Sequence, residues 1–315
     1  MYIKSRISRS TDRALTLLAL ICVAAFEYGP RILLICAAAA VTAMTAELIC
    51  LYLRGIPFRL KHLDAAVAGV LTVMLMPQTV SVSLVIMSVI VTIIIGRQLF
   101  GGREHPVIPA PAVGFCFALL NNRAEMTTFP SAKEILPIWN TSGVSICESA
   151  TPIWNRTGDF SDDVFGWLTG FPAQPIGTGS ILLLAVIAVV LLFRRSASLS
   201  VFLPMMAVLI SGSIALNHFH HPAASAVGCC LTNQTLFAVL YLYCDFDYAP
   251  PHLGGVLYGM ISGMLILLLT RTFYIMDAPV ILSILLTPVA LVLNEALRGT
   301  EDSAPLSKGG NGQYA

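Results

Sequence analysis

Three groups of side chains in this 315-residue chain are of types that can do chemistry. The first is Ser145-Ile146-Cys147-Glu148-Ser149-Ala150-Thr151-Pro152, with Trp154 close behind. Its hydroxyls, Ser145, Ser149 and Thr151, could carry an ester, and the indole could stack on a ring. Spacing alone describes an ordinary polar turn, and Trp154 alone reads as an interface anchor. The second group is Gly96-Arg97-Gln98-Leu99-Phe100-Gly101-Gly102. Paired glycines let backbone approach a partner closely, or simply stop a helix at a basic end. The third group is acidic: Asp245 and Asp247 with His252 in Cys244 to Gly255, together with Glu47 and Asp64. Carboxylates in or beside a bilayer are costly and are candidates for an ion path. The plainer readings are a helix cap for Asp64, a snorkelling end for Glu47 and a solvated turn at Pro250-Pro251. Asn217-His218-Phe219-His220-His221-Pro222 gathers three histidines, but no Cys or acid adjoins them, so a solvated turn outweighs a metal site. Asn140-Thr141-Ser142 and Asn155-Arg156-Thr157 match the glycosylation sequon.

The elements that must position these residues are set by composition. The chain is 57% hydrophobic and 11% charged. A soluble domain is about one-quarter charged, so lipid must cover much of this surface. The expected fold class is all-α, a polytopic membrane helical bundle of ten spans at about 13–27, 31–53, 63–77, 79–96, 107–121, 178–194, 199–216, 223–244, 253–270 and 278–297. The third and fifth are short and hold Pro and Gly, which marks them as tilted, broken or buried in the bundle. The basic start (Lys4, Arg6, Arg9, Arg13) lacks a small-residue cleavage site and leads into an uncleaved first helix. Seven of the eight cysteines fall in or beside apolar runs and read as small hydrophobes, and no CxxC pair occurs. The net charge of +1 carries no signature of nucleic-acid binding, and no nucleic-acid partner is expected.

With the N-terminus in the cytoplasm, thirteen Lys and Arg lie in inner segments and five in outer ones. That bias puts both termini inside and the polar stretch 122–177 outside. The chain thus divides into a first half (1–121), an external loop (122–177), a second half (178–297) and a disordered tail (298–315). Five spans on each side of the loop would make a duplicated half inverted across the membrane. A faint echo between Ala65 to Thr72 and Ala224 to Thr232 is consistent with such a repeat.

Read in order, these features resemble the RnfD-type membrane protein of the Rnf ion-translocating ferredoxin oxidoreductase, and its NqrB-type relative in the sodium-translocating NADH:quinone oxidoreductase. Gly96 to Gly102 is similar to the family's Gly-Lys-Gln-Leu-Phe-Gly-Gly, the most specific match. Asp64 to Pro77, Asp245 to Gly259 and Leu293 to Leu297 look like its third helix, its entry to helix nine and the end of its last helix. The resemblance implies an external Asp-x-x-(Ser/Thr)-Gly-Ala-Thr motif whose final Thr takes FMN through a phosphoester, made by a flavin transferase. Here Ser145, Glu148 and Ser149 stand at the Asp, Ser/Thr and Gly positions, while Ala150 and Thr151 are retained. After Gly102 the family's Asn-rich run is replaced by Glu104-His105-Pro106-Val107-Ile108-Pro109-Ala110-Pro111. The implied role is membership of a bacterial inner-membrane Rnf-type complex, passing electrons through FMN on Thr151 to partner subunits and coupling this to sodium or proton movement. A second, non-covalent flavin near the cytoplasmic helix ends is also implied. The competing expectations are an unflavinylated structural subunit and a secondary transporter.

Overall fold

A computed structural model describes residues 6–100, 106–131, 134–139, 143–147, 149, 154, 168, 174–217, 222–231, 234–250 and 252–302. The main helices are α1 Arg6–Tyr28, α2 Arg31–Leu53, α3 Asp64–Met74, α4 Val82–Leu99, α5 Ala110–Asn121, α6 Ile181–Phe193, α7 Leu199–Leu216, α8 Pro222–Leu231, α9 Thr235–Tyr243, α10 His252–Thr272 and α11 Ala278–Asp302, with single turns at Leu60–Leu63, Arg123–Met126 and Ile176–Thr178. Helices α8 and α9 meet at a 57° bend and reach crossing length only when taken together, as a broken span or a re-entrant loop. Among the described residues, five helices are long and apolar enough to cross a membrane, or six if the bent pair is one span. The shorter α5 and α6 are apolar but fall below crossing length; this was expected for the fifth span, which holds Pro and Gly, but not for the sixth, expected as a full span at 178–194.

Several boundaries differ from expectation. Helix α1 starts at Arg6 rather than near residue 13. Its buried stripe runs Arg9, Asp12, Thr16, Leu20, Ala24 and Tyr28, so the helix continues into its charged residues because they are packed rather than solvated. The third span ends at Met74, three residues before Pro77. The eighth span is interrupted, with Gln234 in the left-handed region at φ 58°. Helix α11 runs on to Asp302, past the expected start of the tail.

Corresponding spans of the two halves pack alike: α2 lies on α4, and α7 lies on α10. The α7–α10 contact is close because Gly255, Gly259 and Gly263 form a small-residue face at four-residue steps. A Cβ on Gly259 would come within 2.6 Å of the Val201 carbonyl oxygen. The two echoing stretches of sequence are α3 and α8, and each is followed by an interruption. One end of the bundle carries the arginines of α1, α4 and the α6–α7 turn; the other carries the segment between α5 and α6.

That segment is tied down at several points. A two-residue antiparallel ribbon pairs Phe129 with Cys147 and Pro130 with Ile146. Arg31, 2% exposed, donates to the carbonyls of Gln78, Val80, Pro137 and Ile138. Gly29, at φ 89°, leaves room for Ile135, and Leu136 N–H donates to the Tyr28 carbonyl at 2.9 Å.

Candidate functional site

At the loop end, Thr151 lies outside the described residues, as do Glu148, Ala150, Pro152, both sequons' asparagines and His218, His220 and His221. The described part of the motif begins on the ribbon strand Ile146–Cys147. Its approach is held by Ser131 N–H donating to the Ser145 carbonyl at 2.9 Å and Ser145 N–H donating to Glu134 at 3.3 Å. Ser149 is buried. Trp154 is 1% exposed and is not offered to a ring. The Arg271 guanidinium stands 4.0 Å from the centre of its ring, and Arg271 also donates to the Trp154 carbonyl at 3.3 Å. Gly228 of α8 gives the indole its space, since a Cβ there would collide with it. Arg271 donates in turn to Asn217. Trp154 is therefore an anchor that fastens the loop to the second half. Nearby, burial pushes the Asp277 carboxyl up to about 6, against the pull of Arg123.

At the arginine end, residues that look unrelated in sequence meet. Arg97 at the end of α4 reaches Asp64 at 2.6 Å, and its Nε lies 3.3 Å from Glu47. Gln98 donates to the same Glu47 carboxylate at 2.7 Å and accepts from Arg54 at 2.9 Å. Glu47 is 1% exposed, so it does not snorkel to solvent; it is held inside by Arg97 and Gln98. Gly96 permits this geometry, because a Cβ there would lie 2.8 Å from the α5 backbone at Ala110. The turns of α4 from Thr92 to Leu99 have the wider π pitch, which is common at functional sites.

A second network joins α1 to the other half of the chain. Arg13 pairs with Asp245 through two contacts of 2.6 and 2.5 Å, and Arg9 pairs with Asp247 at 3.0 Å. Asp12 accepts from Arg194 at 2.9 Å and from the Ser196 hydroxyl. Burial works to raise the Asp245 carboxyl. The Arg13 guanidinium, helped by the Asp247 N–H and Arg9, outweighs it and holds that carboxyl below the usual carboxylate range. Removing one partner of such a buried pair costs about 3–5 kcal/mol. Reading the basic start as a topology signal alone misses the roles of Arg9, Asp12 and Arg13. The available clue is their i, i+3, i+4 spacing, which puts all three on one helix face.

Between the two networks opens a cleft of about 790 Å³, counted out to its mouth. Arg9, Arg13, Arg97, Asp64 and Asp245 line it, with Tyr241, Tyr248 and prolines 106, 109 and 111. Tyr248 donates its hydroxyl to the Ile108 carbonyl at 2.9 Å, which closes the wall left by the Pro-rich run. Its lining is about half polar, with paired arginines and carboxylates facing prolines and tyrosines. No curated protein matches the chain. A family model does: that of the NQR2, RnfD, RnfE family, over residues 4–296.

Proposed function

The chain belongs to the NQR2, RnfD, RnfE family and is a multi-pass membrane subunit of an Rnf/Nqr-type complex, and from that membership we infer that it carries electrons through FMN esterified to Thr151. The observation that carries this reading is the match along nearly the whole chain, joined to the retained Ala150-Thr151 in the segment between the fifth and sixth spans. Bound there, FMN would supply the one- and two-electron chemistry. The protein's own contribution begins with the anchor. Ser149 is buried two residues before Thr151, and Trp154 is buried three residues after it, under Arg271. A fastened loop keeps a redox group close to the bundle without a soluble domain to hold it.

In the same reading both termini and the arginine-rich end face the cytoplasm of a bacterial inner membrane, and the loop faces outward. A second, non-covalent flavin, which the family resemblance implies, would lie at the cleft of the arginine end. Arg97, Glu47 and Asp64, with Arg13 and Asp245, hold its walls as paired charges. Coupling is to sodium or proton movement, and the partners are the other subunits of the complex, a flavin transferase, the coupling ion and lipid. One second reading has its own support: three of five motif positions differ at Ser145, Glu148 and Ser149, which favours an unflavinylated structural subunit.

Intact mass of the protein, produced together with an active flavin transferase, decides between them. The expected result is one added FMN less a water, fluorescent in the denatured protein and absent from Thr151→Val. Unmodified protein would leave the structural subunit as the better description.

A further inference from the structure

We propose that the connection between α2 and α3 is a binding surface for anionic phospholipid, with Arg54 and Arg59 meeting headgroup phosphates and the apolar side chains around them entering the leaflet. The two helices pack against each other, and about two to five residues suffice to join such neighbours. The chain uses residues 54–63 instead. Residues 52–60 are all exposed. Tyr52, Leu53, Ile56, Phe58 and Leu60 among them are large and apolar, with Tyr52 85% and Leu60 80% exposed. Leaving such a cluster in water is costly.

The segment is held in one shape. Gly55, at φ 66°, closes the end of α2: its N–H donates to the Tyr52 carbonyl at 3.1 Å, and the Ile56 N–H donates to the Leu51 carbonyl at 3.0 Å. Further on, the Arg59 N–H donates to His62 Nδ1 at 3.0 Å, and the His62 N–H donates to the Arg59 carbonyl at 2.9 Å. The Phe58 ring lies 5.8 Å from the imidazole, and His62 is buried. The turn is thus pinned through His62 while Arg59 and Leu60 face outward.

Depth and continuity select lipid as the occupant. Helix α2 has 23 residues, about 34 Å at 1.5 Å per residue, a little more than the ~30 Å hydrocarbon core. Its end therefore stands at headgroup level. The exposed residues Leu33, Ala37, Val41, Thr45, Leu48 and Tyr52 follow one another at three- and four-residue steps, which makes one lipid-facing stripe. The apolar cluster begins where that stripe ends, so the bilayer already touches its edge. A soluble partner would have to replace lipid there.

Charge selects the headgroup. Arg9, Arg13, Arg97 and Arg194, at the same end of the bundle, are each paired with a carboxylate. Among the described residues Arg54 and Arg59 have no carboxylate partner; Arg54 donates to Gln98 at 2.9 Å. Residues 48–63 contain no acid. Exposed guanidinium groups at this depth attract phosphate, and they favour a headgroup with net negative charge over a zwitterionic one.

The proposal rests on the membrane-spanning fold and is independent of FMN at Thr151. The test is fluorescence quenching of the full-length Leu60→Trp variant in liposomes, read as the difference from the parent protein. The liposomes carry phosphatidylglycerol or phosphatidylcholine brominated near the headgroup end of the acyl chains, at equal mole fraction. The expected result is quenching by both lipids, several-fold stronger with brominated phosphatidylglycerol. Adding Arg54→Gln and Arg59→Gln removes the preference, and Arg54→Lys with Arg59→Lys keeps it. An introduced indole that neither lipid quenches stands clear of the bilayer and overturns the surface. Equal quenching by the two lipids, or a preference that survives both Gln substitutions, overturns the role of the arginines. Quenching that disappears when the same variant is measured in the intact complex assigns the surface to a partner subunit and overturns the lipid reading.

Discussion

Asp245 illustrates how single residues divide the work at the arginine end. Its carboxylate is buried, bound by Arg13 through two contacts and capped by the Asp247 N–H at 3.0 Å. Because its folded pKa is held below the unfolded value of about 3.9, the folded state binds fewer protons than the unfolded chain between the two values. The stabilisation is fully present above about pH 4 and is lost as pH falls through the lower, folded value. Asp245→Asn should therefore be less stable than the parent protein at pH 7, with the gap closing as the pH falls through the folded value, below the ordinary carboxylate range. Unfolding curves in detergent at both ends of that range check this; a gap that stays constant with pH would remove the ion pair as its source. Glu47, Asp64 and Arg97 could each be suspected from the sequence, because charge near a bilayer is rare. That they form one network could not, since Arg97 meets Asp64 across 33 residues and a helix packing that hydropathy does not encode.

At the scale of elements, the α7–α10 contact rests on three glycines. Gly259→Leu places a side chain where a Cβ alone would stand 2.6 Å from the Val201 carbonyl oxygen and 3.1 Å from Pro204. Backbone cannot yield as a flexible side chain can, so the cost should reach the upper part of the overpacking range, about 3 kcal/mol. Unfolding of Gly259→Leu beside Met260→Leu, a swap at the exposed position next to it, measures it. This face was readable in the sequence, where Gly255, Gly259 and Gly263 stand four apart, yet Gly254-Gly255 reads first as a turn. The interruption in the eighth span was not readable. Residues 223–244 are almost continuously apolar, and the bend is stabilised from outside, by Leu75 accepting from Gln234. The third span gave fuller warning, because Pro77 follows it. Span positions came through well for α2, α7 and α10, whose apolar lengths match a bilayer.

For the whole molecule, the loop between the halves is a fastening. Trp154 sits under Arg271 and against Gly228, both in the second half, while Arg31 and Tyr28 of the first half hold residues 136–138. Trp154→Ala should cost about 3–5 kcal/mol, as expected for an emptied aromatic site. Trp154→Phe should recover most of it, and paired unfolding measurements check both. The helical, membrane-embedded character was visible in hydropathy; of the ten expected spans, five described helices are long and apolar enough to cross, or six if the bent pair is one span. The stitching was not visible, because its partners lie far apart in the chain. That distance has a consequence for how the protein is made. Arg13 leaves the ribosome 232 residues ahead of Asp245, and Arg9 leaves 238 ahead of Asp247. At roughly 5–20 residues per second, the first helix waits on the order of ten seconds or more for its counter-charges. Until that part of the polypeptide is inserted, those arginines lack the carboxylates of Asp245 and Asp247, so the joint between the first helix and the second half is among the last to close.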